Sequence, residues 1–186
     1  MKKILLIDNF DSFTYNLVQQ IQEISKCDLN VIRNDVKIQD INLKFDKLVI
    51  SPGPKTPKDA GISNQLIKRF YKSKPILGVC LGMQCINEVF GGKTVPSPLP
   101  YHGKISKITH NGKDIFNNVS QNIEVARYHS LIVDNISSKL NVSAQTADNI
   151  PMAIKLKDYP VFGVQFHPES FMTPEGHKIM KNFLDI

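Results

Sequence analysis

The residues best suited to chemistry in this 186-residue chain are a cysteine set between closely spaced glycines and a histidine two positions ahead of a glutamate. Cys80 stands in Gly78-Val79-Cys80-Leu81-Gly82, between a strand-like apolar run and a helical pattern. This is the G-x-S-x-G nucleophile elbow with sulfur in place of oxygen. The glycines are needed because the turn is tight and neighbouring backbone passes close. Such a turn presents the thiol at the carboxyl end of a strand and at a helix N-terminus, where the dipole and free N–H groups favour thiolate. The Leu81 N–H would point toward an oxyanion formed on an attacked carbonyl. Cys27 and Cys85 lack this context: Cys85 reads as core and Cys27 as part of a helix-to-strand turn.

A nucleophilic cysteine needs a base, and the base needs an orienting group. His167-Pro168-Glu169 follows the apolar strand expected over Val161–Phe166. Pro168 biases His167 toward extended backbone. On an extended chain, positions i and i+2 share a face about 6.6 Å apart, so Glu169 could fix the tautomer of His167. His129, in Arg127-Tyr128-His129-Ser130, belongs to a polar cluster expected as a loop near the site. His110 and His177 read as solvated. Neither the histidines nor the three cysteines show ligand spacing, so no metal site is expected.

These groups require elements that bring them to one edge. Ile4–Ile7, Leu29–Ile32, Lys47–Ile50 and Pro75–Val79 read as short strands, the first of them as a buried parallel strand. Between them, Phe13, Leu17, Ile21 and Ile24 form one helical stripe, opened by Asp11-Ser12. Ile62, Leu66, Ile67 and Phe70 form another. Leu81–Phe90 is helical and stops at Gly91-Gly92. Beyond Gly92 the segments are short and β-rich (Lys104–Thr109, Ile123–Ala126, Leu140–Ala144, Met152–Leu156), and Thr173-Pro174-Glu175 opens a last helix. The expected fold is α/β: a flavodoxin-like, doubly wound, mostly parallel sheet with helices on both faces, plus an antiparallel β region in the second half. One domain spanning 1–186 is expected. In such sheets ligands bind outside the carboxyl ends of the strands, where the elbow and the His-Pro-Glu turn both fall.

Composition narrows the function. With 41% hydrophobic and 22% charged residues the chain has the make-up of a globular protein. Its 23 basic against 17 acidic residues give +6, but the excess is lysine scattered singly, with arginine only at positions 33, 69 and 127. No basic stretch is interleaved with aromatics, so a solvated surface is expected and nucleic acid is not. The apolar run at the N-terminus ends at Asp8, too short for a signal peptide or a membrane span. Three cysteines make no disulfide framework, so a reducing, cytoplasmic setting is expected. No Gly-rich phosphate loop follows a strand, which disfavours a nucleotide-binding protein of flavodoxin type.

Taken together the chain resembles the class I, or triad, glutamine amidotransferases. The likeness runs from Asp8-Asn9-Phe10-Asp11-Ser12 through Ser51-Pro52-Gly53-Pro54, Gly78–Gln84 and Arg127–Leu131 to Val164-Gln165-Phe166-His167-Pro168-Glu169-Ser170. Within that family it looks most like the amidotransferase subunits of anthranilate synthase and aminodeoxychorismate synthase. The resemblance implies that Cys80 is the nucleophile, His167 the base and Glu169 its orienter. It implies an oxyanion hole from the N–H groups of Gly53 and Leu81, with Pro54 in the same turn. Gln84, Ser130 and Leu131 would hold the glutamine substrate. It further implies ammonia delivery to a chorismate-binding synthase subunit, no cofactor in this chain, and magnesium only in that partner. His102-Gly103-Lys104 and the loop around Tyr128 would contact the partner at the rim. Met83 stands where the family usually has histidine, and Lys55 where it usually has glycine or cysteine. The rival readings are a stand-alone γ-glutamyl hydrolase using the same triad and a non-catalytic regulatory module of the same fold.

Overall fold

In the computed structural model, backbone is described for residues 1–186 and side chains for all but 98–100 and 102. His102, named above as a rim residue, therefore has its side chain outside the described residues. The strands β1 (Lys3–Asp8), β2 (Asp28–Arg33), β3 (Lys47–Ile50), β4 (Ile76–Val79), β5 (Thr94–His110), β6 (Ile123–Val133), β7 (Leu140–Thr146), β8 (Pro151–Leu156) and β9 (Val161–Val164) form one sheet. Its order is β2-β1-β3-β4-β9-β8-β7-β5-β6. The first five neighbours pair in parallel and the remainder antiparallel. The helices are α1 (Thr14–Ile24), α2 (Ser63–Phe70), α3 (Leu81–Val89) and α4 (Gly176–Asp185). This is the expected doubly wound architecture with an antiparallel extension. Among the described residues no helix is long and apolar enough to cross a membrane.

The continuous apolar strands follow from burial on both faces. Along β1, Ile4 and Leu6 pack with Leu17 and Ile21 of α1 and Ile179 and Phe183 of α4. Leu5 and Ile7 turn the other way, onto Leu66 and Ile67 of α2 and Ile86 of α3. The side-chain period of two thus builds two cores from one strand. The same alternation in β3, β4 and β9 leaves their carboxyl ends side by side, with Ile50 opposite Gly78 and Val79 opposite Val164.

Three local expectations are corrected. Asp11-Ser12 does not cap α1. Asp8 Oδ1 accepts from the Phe10 and Asp11 N–H groups and from the Thr14 hydroxyl, while Asp11 Oδ1 accepts from Phe13 N–H, so the acids shape a turn and α1 starts at Thr14. Arg127–Leu131 is not a loop but the middle of β6, paired with β5 from Lys104 opposite Arg127 to Tyr101 opposite His129. Nor is His167–Glu169 extended. β9 ends at Val164, and the Ser170 N–H donates to the His167 carbonyl, closing a tight turn in which Pro168 supplies the preset φ. The Thr173 hydroxyl holds that turn, donating to the His167 carbonyl at 2.7 Å and accepting from the Ala126 N–H of β6.

Candidate active site

The elbow is built as its glycines require. A Cβ on Gly78 would lie 2.4 Å from the Gly82 carbonyl carbon and oxygen, so β4 and the first turn of α3 can meet only without side chains there. Cys80 itself sits at φ 52°, ψ −102°, a conformation L-residues rarely adopt. The strain swings the thiol out of the strand line to the edge, where the residue is only 6% exposed. The other thiols differ: burial pushes the pKa of Cys85 far up, with Glu88 adding to it, and burial with Asp28 raises that of Cys27.

His167 is buried beside this cysteine. Its Nδ1 lies 2.6 Å from Glu169 Oε1, and neither side chain is appreciably exposed. Phe13 and Tyr128 pack edge-on against the imidazole at 5.3 and 5.2 Å, fixing the ring plane. Burial alone would lower the pKa of His167. Interaction with Cys80 and with the Glu169 carboxylate outweighs it and holds the imidazole up at about 10. Since Nδ1 is committed to Glu169, Nε2 is the nitrogen left to exchange a proton with Cys80.

The Ser51–Pro54 turn lies at the neighbouring strand end. A Cβ on Gly53 would fall 2.5 Å from Asn9 Cβ and 2.8 Å from Leu81 Cδ2, so glycine is obligatory where this turn meets the elbow. Asn9 fixes the turn. Its backbone N–H donates to Ser51 Oγ, its Nδ2 donates to the Ser51 carbonyl, and its Oδ1 accepts from Asn34 Nδ2 and Ser63 Oγ. Among the described residues, no backbone acceptor engages the N–H of Gly53 or Leu81. Both remain available to an oxyanion.

A cavity of about 190 Å³ opens at this edge, lined among others by Gly53, Pro54, Cys80, Gln84, Ser130 and Leu131. Lys55, Tyr128 and His129 complete its wall. Every residue expected to bind substrate therefore borders this space except Leu81, whose expected role is its backbone N–H. The two departures from the family pattern separate. Met83 is fully buried, packed where a Cβ on Gly163 would strike it at 2.9 Å, and does not border the cavity. Lys55 is at the mouth with φ 66°, which accounts for the glycine usual at that position. Lys104 is exposed and does not border the cavity.

The wall contributed by β6 is held by polar contacts that the sequence pattern did not suggest. Arg127 is 2% exposed, with its guanidinium carbon 3.3 Å from the Tyr101 ring centre. Its Nε donates to His129 Nε2 at 3.0 Å. Arginine can only donate, so His129 carries its proton on Nδ1 and gives it to the Leu131 carbonyl at 2.9 Å. Gln84 Nε2 donates to the same carbonyl and to Gln165 Oε1, each at 3.3 Å. Gln165, Phe13, Thr173 and Asn9 are residues near the site to which sequence reasoning assigned no part in it; Phe13, expected on the first helical stripe, instead precedes α1 and packs on His167. Among the described residues no group of three or more His, Cys, Asp or Glu side chains is placed to hold a metal ion. The arrangement suits nucleophilic attack on a carbonyl carbon: a cysteine at an elbow, a buried histidine beside it that is oriented by Glu169, and two nearby backbone N–H groups without a backbone acceptor among the described residues.

Comparison with known proteins agrees with this chemistry. Residues 5–186 match the family model described as glutamine amidotransferase class-I. The chain is 50% identical over 186 residues to the aminodeoxychorismate/anthranilate synthase component 2 of Bacillus subtilis, covering 98% of this chain and 95% of that one. It is 48% identical over 191 residues to the bifunctional protein TrpGD of Thermotoga maritima; all of this chain is covered, but it spans only 32% of that longer protein. Among solved structures, a Thermoplasma acidophilum protein provisionally assigned to GMP synthase superposes with a TM-score of 0.89 at 27% identity, covering 100% of this chain and 93% of that one.

Proposed function

The chain belongs to the class-I glutamine amidotransferase family, and on that premise we propose that it is the glutaminase subunit of a chorismate-aminating synthase. It hydrolyses L-glutamine to glutamate and passes the ammonia to a partner that forms anthranilate or 4-amino-4-deoxychorismate. The observation that carries the reading is that Cys80 shares one cavity with Gln84, Ser130 and Leu131 while the buried His167–Glu169 pair lies beside it. Similarity at 50% identity to a component 2 of such synthases supports the choice of partner.

Cys80 passes its proton to His167 Nε2 and attacks the carboxamide carbon. A C–S bond forms, and the N–H groups of Gly53 and Leu81 receive the charge that moves onto oxygen. His167 returns the proton to nitrogen, the C–N bond breaks and ammonia leaves. Water then attacks the thioester with His167 as base, the C–S bond breaks, and glutamate and the free thiol are restored. Glu169 holds the imidazole in the tautomer these steps require and stabilises its cationic form. No cofactor takes part; magnesium belongs with the synthase partner, and the setting is the cytoplasm. Ammonia released into water would be protonated and lose its nucleophilicity, so the partner must cover the cavity's edge.

The test is glutamine hydrolysis by the isolated chain, and by the chain supplied with chorismate and its chorismate-binding partner. Slow hydrolysis alone and a marked rise in the complex are expected. Cys80→Ala should abolish glutamine-dependent synthesis and leave synthesis from added ammonia intact. Equal activity without the partner would make the chain a stand-alone hydrolase.

A further inference from the structure

Gln165 is the residue after β9, fully buried, and absent from the walls of the substrate cavity. Its Nε2 lies 3.5 Å from Cys80 Sγ as a hydrogen-bond donor. We infer that Gln165 is a further catalytic residue, whose amide N–H stabilises negative charge on the nucleophilic sulfur. The direction of the amide is what makes this more than a buried contact. A glutamine could equally turn its oxygen to the sulfur, which would oppose the thiolate. Here the orientation is dictated from outside. The Leu131 carbonyl can only accept, so Gln84 must direct Nε2 toward it, and that same Nε2 also reaches Gln165 Oε1. With its oxygen engaged there, Gln165 has only its N–H groups to offer Cys80. The Leu131 carbonyl is in turn fixed by His129 Nδ1–H, and the His129 tautomer by the donor-only Arg127. One chain of donors thus runs from a buried guanidinium through the pocket wall and ends aimed at the sulfur.

A donor to sulfur acts wherever the electron pair resides there. It supports the thiolate before attack, while the proton is on His167. It acts again when water has added to the thioester: the C–S bond breaks, its electron pair returns to sulfur, and the water proton is held by His167. This second role rests on the glutaminase reading; the first does not.

The experiment measures alkylation of Cys80 by iodoacetamide, followed by peptide mapping to separate it from Cys27, and glutamine hydrolysis in parallel. Gln165→Met keeps the volume and removes the donor. Hydrogen bonds to charged groups, offset in part by the lower nucleophilicity of a stabilised thiolate, predict alkylation slowed several-fold, with kcat for glutamine reduced. A packing role predicts little change, since methionine fills the space. An alkylation rate within twofold of wild type, in a variant that unfolds cooperatively, overturns the inference. If Gln165→Met does not fold, Gln84→Met decides. It releases the Gln165 oxygen and should slow Cys80 alkylation too, and an unchanged rate overturns the inference. Because alkylation needs no glutamine, a wild-type chain inert toward glutamine would sink the functional reading while leaving this test in force.

Discussion

Removing the nucleophile's side chain should reveal the strain with which the fold holds it. Cys80 at φ 52°, ψ −102° is neither in the right-handed region nor in the small left-handed well, so a non-glycine residue there sits at the upper end of the roughly 1–3 kcal/mol range for such conformations. Comparing Cys80→Gly with Cys80→Ala isolates that cost, since both variants lose the sulfur and both lack a nucleophile. Glycine relieves about 3 kcal/mol of strain. Against this, it gives back about 1 kcal/mol through the freer unfolded chain, and about 0.8 kcal/mol for one fewer buried carbon. The net expectation is a glycine variant more stable than the alanine variant by about 1 kcal/mol, or about 2–4 °C in Tm for a chain of this size. Urea titration at 25 °C and calorimetry both measure it. An alanine variant equal to or more stable than the glycine variant would mean that the elbow stores no strain at Cys80. Presentation of the thiol would then have to be explained by packing alone.

Two further outcomes follow from the His167–Glu169 pair. Glu169→Gln should reduce kcat for glutamine less than His167→Ala does, because an amide oxygen can still accept from Nδ1 while loss of the base forfeits about 10²–10⁴-fold; the reverse order in steady-state assays would give Glu169 a direct chemical role. His167 has its pKa raised from the ordinary 6.5 to about 10 in the folded state, so its protonation stabilises the fold fully below about pH 6.5, and that contribution fades as pH rises toward about 10. Urea unfolding at pH 6, 8 and 10 should therefore show the stability advantage of wild type over His167→Gln shrinking with pH, and an advantage that grows would contradict the assignment.

What could be read from the sequence is what local sterics impose. Gly78 and Gly82 face each other across a turn that admits no Cβ, and strands such as Leu48–Ile50 must be apolar throughout because helices cover both faces. Both signals lie within a few residues of the feature they specify. The turn at His167 already escapes this rule. Proline allows either extended or turn geometry on its flanks, and the choice is made by Thr173, six residues later, through its hydroxyl.

The β6 wall escapes it further. Arg127, His129 and Ser130 read as a loop because polar residues usually find water, whereas here Arg127 finds Tyr101, Ser106 and His129 and stays buried within a strand. Gln165 in an otherwise apolar run is the same case, its partners lying 81 and 85 residues away at Gln84 and Cys80. A buried polar side chain costs about 1–3 kcal/mol if left unpaired, so each of these must have had a partner. The sequence alone does not name a partner brought in from another strand. The part of the site set by backbone geometry is therefore legible, and the part set by the direction of hydrogen-bond donors is not. The same division separates the residues that perform the proposed bond-making steps from those that orient them, and it places Gln165, which touches the sulfur, among the illegible ones.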